Sequence, residues 1–149
     1  MAIPSESPAT ITAQFLVNES AGGFRTNNPK TEPGWLVSTG QHPDTPDNAI
    51  TLTEAPLYRD GDKLMNGDSV AKPMVQVRVR SLSRNDAYRK AAELFELLSH
   101  ARGEIVTVNE KQFELQNFST TEPPVFMGNE PNTDRPNFTF DIYLTAKEL

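Results

Sequence analysis

Between Val75 and Phe95 the chain reads VQVRVRSLSRNDAYRKAAELF, and the spacing of its apolar residues changes midway from twos to threes and fours. Val75, Val77 and Val79 alternate with Gln76, Arg78 and Arg80, the rhythm of a strand with valines on one face. Met74 joins the arginines on the other face, and Pro73 stands at the strand entrance, where a missing N–H is tolerated. Ser83 then reads as a helix cap, with Asp86 three residues on as its weaker partner. Ala87, Tyr88, Ala91, Leu94, Phe95 and Leu98 make one apolar stripe, while Arg84, Asn85, Arg89, Lys90, Glu93 and Glu96 fall on the wetter side. Arg89 and Glu93, four apart, are expected to pair, and Gly103 to end the helix. Two alanines on the stripe permit close approach to a sheet, so the spacing predicts a helix lying on the valine face.

The remaining elements are built around this unit. Ser7-Pro8-Ala9-Thr10 has the cap and first-turn proline of a helix start, and Ile11, Phe15 and Leu16 share a face up to Gly22-Gly23. Alternation predicts a strand over 49–54, a hairpin of Glu104–Val108 with Gln112–Phe118, an extended segment from Pro123, and a last strand carrying Phe138, Phe140, Ile142 and Leu144 on one side. The expected fold class is α+β: a two-layer sandwich of a mostly antiparallel four- to five-stranded sheet, with one main helix and a short N-terminal helix. Its 149 residues make one ordinary domain, 1–149, without internal repeats.

Twelve prolines and eight glycines point to substantial loops, at about 26–48 and 56–72. Trp35, the only tryptophan, sits in the first and can anchor it either to the core or to a neighbouring subunit. In the second, Asp60-Gly61 and Asn66-Gly67 are turn formers. Asp60 and Asp62 look like the opening of a calcium loop, but Leu64 and Met65 stand where a ligand and the required glycine belong.

Chemistry finds little support. The absence of cysteine excludes thiol catalysis, a cysteine zinc site and disulfides. His42 and His100 are too far apart for a local zinc motif, and a histidine at the end of a helix is favoured there by the helix dipole. No Gly-x-Ser-x-Gly elbow occurs, and the strand-to-helix junction, RSLSRND, holds no glycine-rich phosphate loop. Glu130, Asp134 and Asp141 do not form a spacing that singles out a carboxylate pair. No enzyme, cofactor or metal is therefore expected. Residues 1–72 carry five basic and nine acidic side chains and residues 73–149 nine and eleven, which argues against a dedicated nucleic-acid binder. The start, MAIPSESPATITAQFL, lacks a secretion leader, no apolar run is long enough for a membrane span, and the sequons at Asn18, Asn117 and Asn137 read as chance.

The arginines pose the functional question. With a helix on the valine side, Arg78 and Arg80 are left either to water or to another chain. Phe113, Leu115, Phe138 and Phe140 also need covering. One helical stripe and one short helix are expected to fall short, which favours an oligomer.

The order of elements resembles tailed-bacteriophage minor capsid and tail terminator proteins. The likeness lies in Pro73–Arg80 leading into AYRKAAELFELL, then in PVFMGNE (124–130) followed by DRPNFTF (134–140). Ile50–Glu54 is similar to the family's first strand and Ser7–Phe15 to its N-terminal helix, whereas the loops at 26–48 and 59–72 have no match. The resemblance implies a structural virion protein at the head-proximal end of a siphovirus tail, assembled in the host cytoplasm. It implies a ring, commonly a homohexamer, that stops tail tube polymerisation and docks the tail to the head connector or stopper. Its partners would be copies of itself, the tail tube protein and the connector, with DNA passing through the lumen without sequence-specific binding and no membrane contact. On that footing Trp35, Arg78, Arg80 and Arg84 are expected at a subunit or partner interface, and Asp134 with Arg135 in a structural turn. The competing expectation is a non-catalytic adaptor that binds protein along an exposed sheet edge, or another connector or tail completion component.

Overall fold

A computed structural model describes residues 5–19, 23–24, 35–40, 47–63, 69–120, 122–131 and 134–149. His42, the Asn66-Gly67 pair and most of the 26–48 loop lie outside them. Helix α1 (Pro8–Asn18) starts at the expected cap, where Ser7 Oγ accepts from the Thr10 N–H at 3.3 Å. So short a helix is marginal alone. Glu54 holds it from outside, accepting from the Ser7 hydroxyl and from the Ala9 N–H, the latter at 3.2 Å. Burial alone would raise the Glu54 carboxyl. The hydrogen bonds from Ser7, from its own N–H and from Ala9 outweigh burial and hold it below its ordinary range.

Eight strands follow in chain order: β1 (Gly23–Phe24), β2 (Leu36–Thr39), β3 (Ala49–Lys63), β4 (Ser69–Arg80), β5 (Glu104–Val108), β6 (Lys111–Thr120), β7 (Val125–Asn129) and β8 (Pro136–Glu148). Helix α2 (Arg84–His100) separates β4 from β5. The spatial order is β1-β2-β3-β4-β8-β6-β5, with β7 also on β8. The fold is α+β, but the sheet is larger than the expected four to five strands, and it is mixed. β1, β2 and β3 run parallel, and β2 arises inside the segment read as irregular. Asp60-Gly61 makes no turn. β3 runs through it, paired with β4, and absorbs the irregularity as register shifts at Glu54/Tyr58 and Asp60/Lys63.

The register between β4 and β8 sets Val75, Val77 and Val79 opposite Ile142, Phe140 and Phe138, all on one face. α2 lies on that face, as its stripe predicts. Phe95 meets Phe140 edge-on with centroids 5.6 Å apart, and Tyr88 meets Phe138 at the same distance. α1 covers the rest of the face, with Phe15 against Phe118 at 5.7 Å. It touches β5 near one end of the strand order and β2 and β3 near the other, so the sheet curls around it.

That curl overturns one expectation. Phe113 and Leu115 are fully buried, and Phe138 and Phe140 nearly so, within the single chain. The greasy face is sealed by the chain's own two helices, and no excess remains there for a second copy. Two polar expectations also change. Lys90 is buried, its ammonium 5.7 Å from the Trp35 ring centroid and 3.3 Å from Glu93, because its aliphatic stem packs inward while its charge reaches the rim. Glu93 therefore pairs with Lys90, and Arg89 lies 3.8 Å from Asp86 instead.

Candidate assembly interface

Two of the residues singled out in the sequence, Arg80 and Arg135, meet at one end of β8. Arg80, expected on an open or partner-facing surface, is 1% exposed. Its guanidinium donates from Nη1 to Glu130 Oε1 at 3.0 Å and from Nε to the Asp47 carbonyl at 3.2 Å. Glu130 is also held by Arg135, which donates to its Oε2 from Nη2 at 2.9 Å and from Nε at 3.2 Å, and to Asp47 Oδ1 from Nη1 at 3.2 Å. One carboxylate thus bridges two buried arginines and helps offset the cost of taking both cations out of water. The backbone closes around it: the Glu130 N–H donates to the Arg135 carbonyl at 2.9 Å and the Asp134 N–H to the Glu130 carbonyl at 3.0 Å. Asp134 takes a left-handed φ of 54°, which an aspartate tolerates better than most residues. This clasp joins the end of β4, the turn into β8 and the entrance of β3. Sequence inspection expected a structural turn at Asp134 and Arg135 but missed its links to Arg80 and Asp47, which stand far away in the chain with nothing local to mark them as partners.

Arg84 lies beside the clasp, at the start of α2. Its guanidinium stacks 4.5 Å above the Phe126 ring, and Phe126 packs on Phe138 at 5.4 Å. Arg84, Asn85, Tyr88, Phe126 and Phe138 line a shallow cleft between α2 and β7. On the opposite face, Arg78 lines a second cleft with Gln76, Met127, Glu130 and Thr139. Asn137 borders it too, its Oδ1 buried without a hydrogen-bond partner among the described residues. Trp35 is half-buried against the core next to Lys90, away from both clefts. Of the expected interface residues, then, Arg78 and Arg84 flank β7, Trp35 packs inward, and Arg80 is committed to the clasp.

The outer face of the sheet is polar. Ser38 and Thr51 lie within hydrogen-bond distance at 3.3 Å, and Thr139 Oγ1 donates to the Val77 carbonyl at 3.1 Å. Burial, with the Glu122 charge nearby, pushes the Asp141 carboxyl above its ordinary range. His100 is exposed at the end of α2, its Nδ1 2.8 Å from the Glu96 carbonyl, and the two clefts beside β7 contain no histidine. Among the described residues no cluster of histidines and acids is arranged to hold a metal, and no helix is long and apolar enough to cross a membrane.

Comparison with known families places these elements. Residues 19–147 match the family model of the bacteriophage tail terminator protein. The chain belongs to that family. Its members are structural proteins of the phage tail, so the chain is a virion component and not an enzyme. Among solved structures, a chain from the virion of a native gene transfer agent particle is similar at 12% identity, covering 76% of this chain and 78% of that one, with a TM-score of 0.45. No curated protein matches significantly.

Proposed function

We propose that this terminator assembles as a six-fold ring at the head-proximal end of a siphovirus tail, where it stops tube polymerisation and docks the tail to the head connector. The family match over 19–147 supports this reading, since it spans both helices' neighbouring strands and the whole clasp. DNA passes through the ring without sequence-specific contacts, in keeping with a net charge of -6. Arg78 and Arg84, flanking β7, pair with acids on a neighbouring subunit or a tail component. Arg80 contributes indirectly, by fixing the turn beside them.

The test is negative-stain imaging of the purified protein, alone and with tail tubes of its own phage. Rings and capped tube ends are expected. Discrete monomers indifferent to tubes would favour the adaptor reading instead. Arg78→Glu combined with Arg84→Glu is expected to weaken capping at moderate salt while leaving the fold intact by circular dichroism, and unchanged capping would remove the arginines from the interface.

A further inference from the structure

Besides the two-residue β1, which pairs only with β2, two strands of this sheet have an edge with no partner among the described residues. β5 pairs only with β6, and β7 only with β8. Each is five residues long. Natural proteins blunt such edges with lysine, proline or a cover, because an open row of N–H and C=O groups templates pairing with another chain. EIVTV and VFMGN contain neither lysine nor proline.

Each edge also exposes apolar side chains among polar ones. Ile105 on β5 is 56% exposed, and Val125 and Met127 on β7 are 47% and 62% exposed. These three share a face. Ile105 lies opposite Glu114, on the side of β5 away from the buried Val106 and Val108. Val125 lies opposite Thr139 on the polar outer face, and Met127 lines the outer cleft with Gln76 and Arg78. A sheet continued from β7 into a neighbour's β5 would bring all three together on one surface. The flanking charges match as well, with Arg84 over Phe126 beside β7 and the exposed Glu104 opening β5.

We propose that β5 of one copy adds to β7 of the next, head to tail, and that this strand addition is the contact that closes the ring. The inference rests on the ring reading above and specifies its interface. A contact between two different patches of one molecule propagates, and closes when its rotation divides the circle. It also explains how a chain whose apolar face is sealed can still self-associate, since the attraction comes from backbone hydrogen bonds plus three side chains.

The chain has no cysteine, which allows a clean test. Single variants Ile105→Cys and Met127→Cys, both at exposed positions, are purified with the double variant, assembled, and treated with a mild oxidant or a short bis-maleimide. The double variant is expected to give a covalent ladder up to ring size. An equimolar mixture of the two single variants should give dimers, and each single variant alone none. Adding Thr39→Cys to Ile105→Cys, in place of the change at 127, is the distance control and should not cross-link. Rings that form without any 105–127 link, or self-linking of Met127→Cys alone, would overturn the strand addition while leaving the ring intact. Absence of any assembly of the unmodified chain would remove the ring reading and this inference together.

Discussion

Glu130→Gln is the most informative single change to the clasp. The substitution keeps the shape of the side chain but replaces one carboxylate oxygen by an amide N–H₂. Whichever way the amide turns, its one oxygen can accept from Arg80 or from Arg135, whose Nη2 and Nε lie 2.9 and 3.2 Å from Oε2, but not from both, and the other arginine meets an N–H₂. Arg80 and Arg135, 1% and 5% exposed, would then lose the carboxylate they share, while Arg135 keeps its contact with Asp47. Breaking a buried pair so that a charge is stranded costs about 3–5 kcal/mol. For a chain near this size that is a fall in Tm of about 6–20 °C. Arg80→Met is the control. It removes the most buried charge but leaves Glu130, itself 21% exposed, with Arg135. Among the described residues the group left unpaired is then chiefly the Asp47 carbonyl, for a loss of about 2 kcal/mol. The double variant should cost less than the sum, because once Arg80 is gone Glu130 has one fewer cation to serve. Urea unfolding followed by circular dichroism, with m unchanged across the series, measures all three. Arg80→Met costing as much as Glu130→Gln, or strict additivity, would refute the shared-carboxylate account.

Asp141 titrates above its ordinary range, so the fold disfavours its ionised form, and the stability present at low pH is lost as pH rises through the folded pKa. Asp141→Asn is accordingly expected to raise Tm at neutral pH, with the gain vanishing on acidification; a gain independent of pH would count against it. Glu54 behaves oppositely. Its lowered pKa gives stability above the unfolded value that disappears as pH falls through the folded one. Glu54→Gln should therefore lower Tm at neutral pH and match the parent in acid, and hydrogen exchange should show α1 loosening first. Trp35→Ala removes a half-buried ring packed on the core and under Lys90, with an expected cost of about 2 kcal/mol, below the range for a fully buried tryptophan. A change in tail capping without that loss of stability would return Trp35 to the interface.

Local signals carried the elements that the sequence could reveal. Ser7 and Ser83 mark both helix starts because capping needs only three neighbouring residues, and the valine alternation places β4 because a strand's faces are written in its own spacing. What escaped was non-local. β2 is four residues made a strand by its parallel partners β1 and β3, and LVST has too few positions to show a period. Arg80 alternates like a solvent-facing residue, yet it is buried, paired with Glu130 just past the end of β7. The apolar count suggested a face in need of a second molecule. It missed that a curled sheet lets one short helix reach strands near both ends of the order, which covers more area than a helix on a flat sheet can. Of the interface residues expected from sequence, Arg78 and Arg84 do flank one open strand, but the other strand's Ile105 was read only as part of a hairpin.

β8 is the spine of the sheet, paired along one side with β4 and along the other with β6 and then β7. Every one of those partners is synthesised before it. On the ribosome the central slot beside β4 therefore stays open until this last strand emerges and fills it. Folding is then a single late closure, and a nascent chain stalled before Pro136 should be the species that chaperones hold.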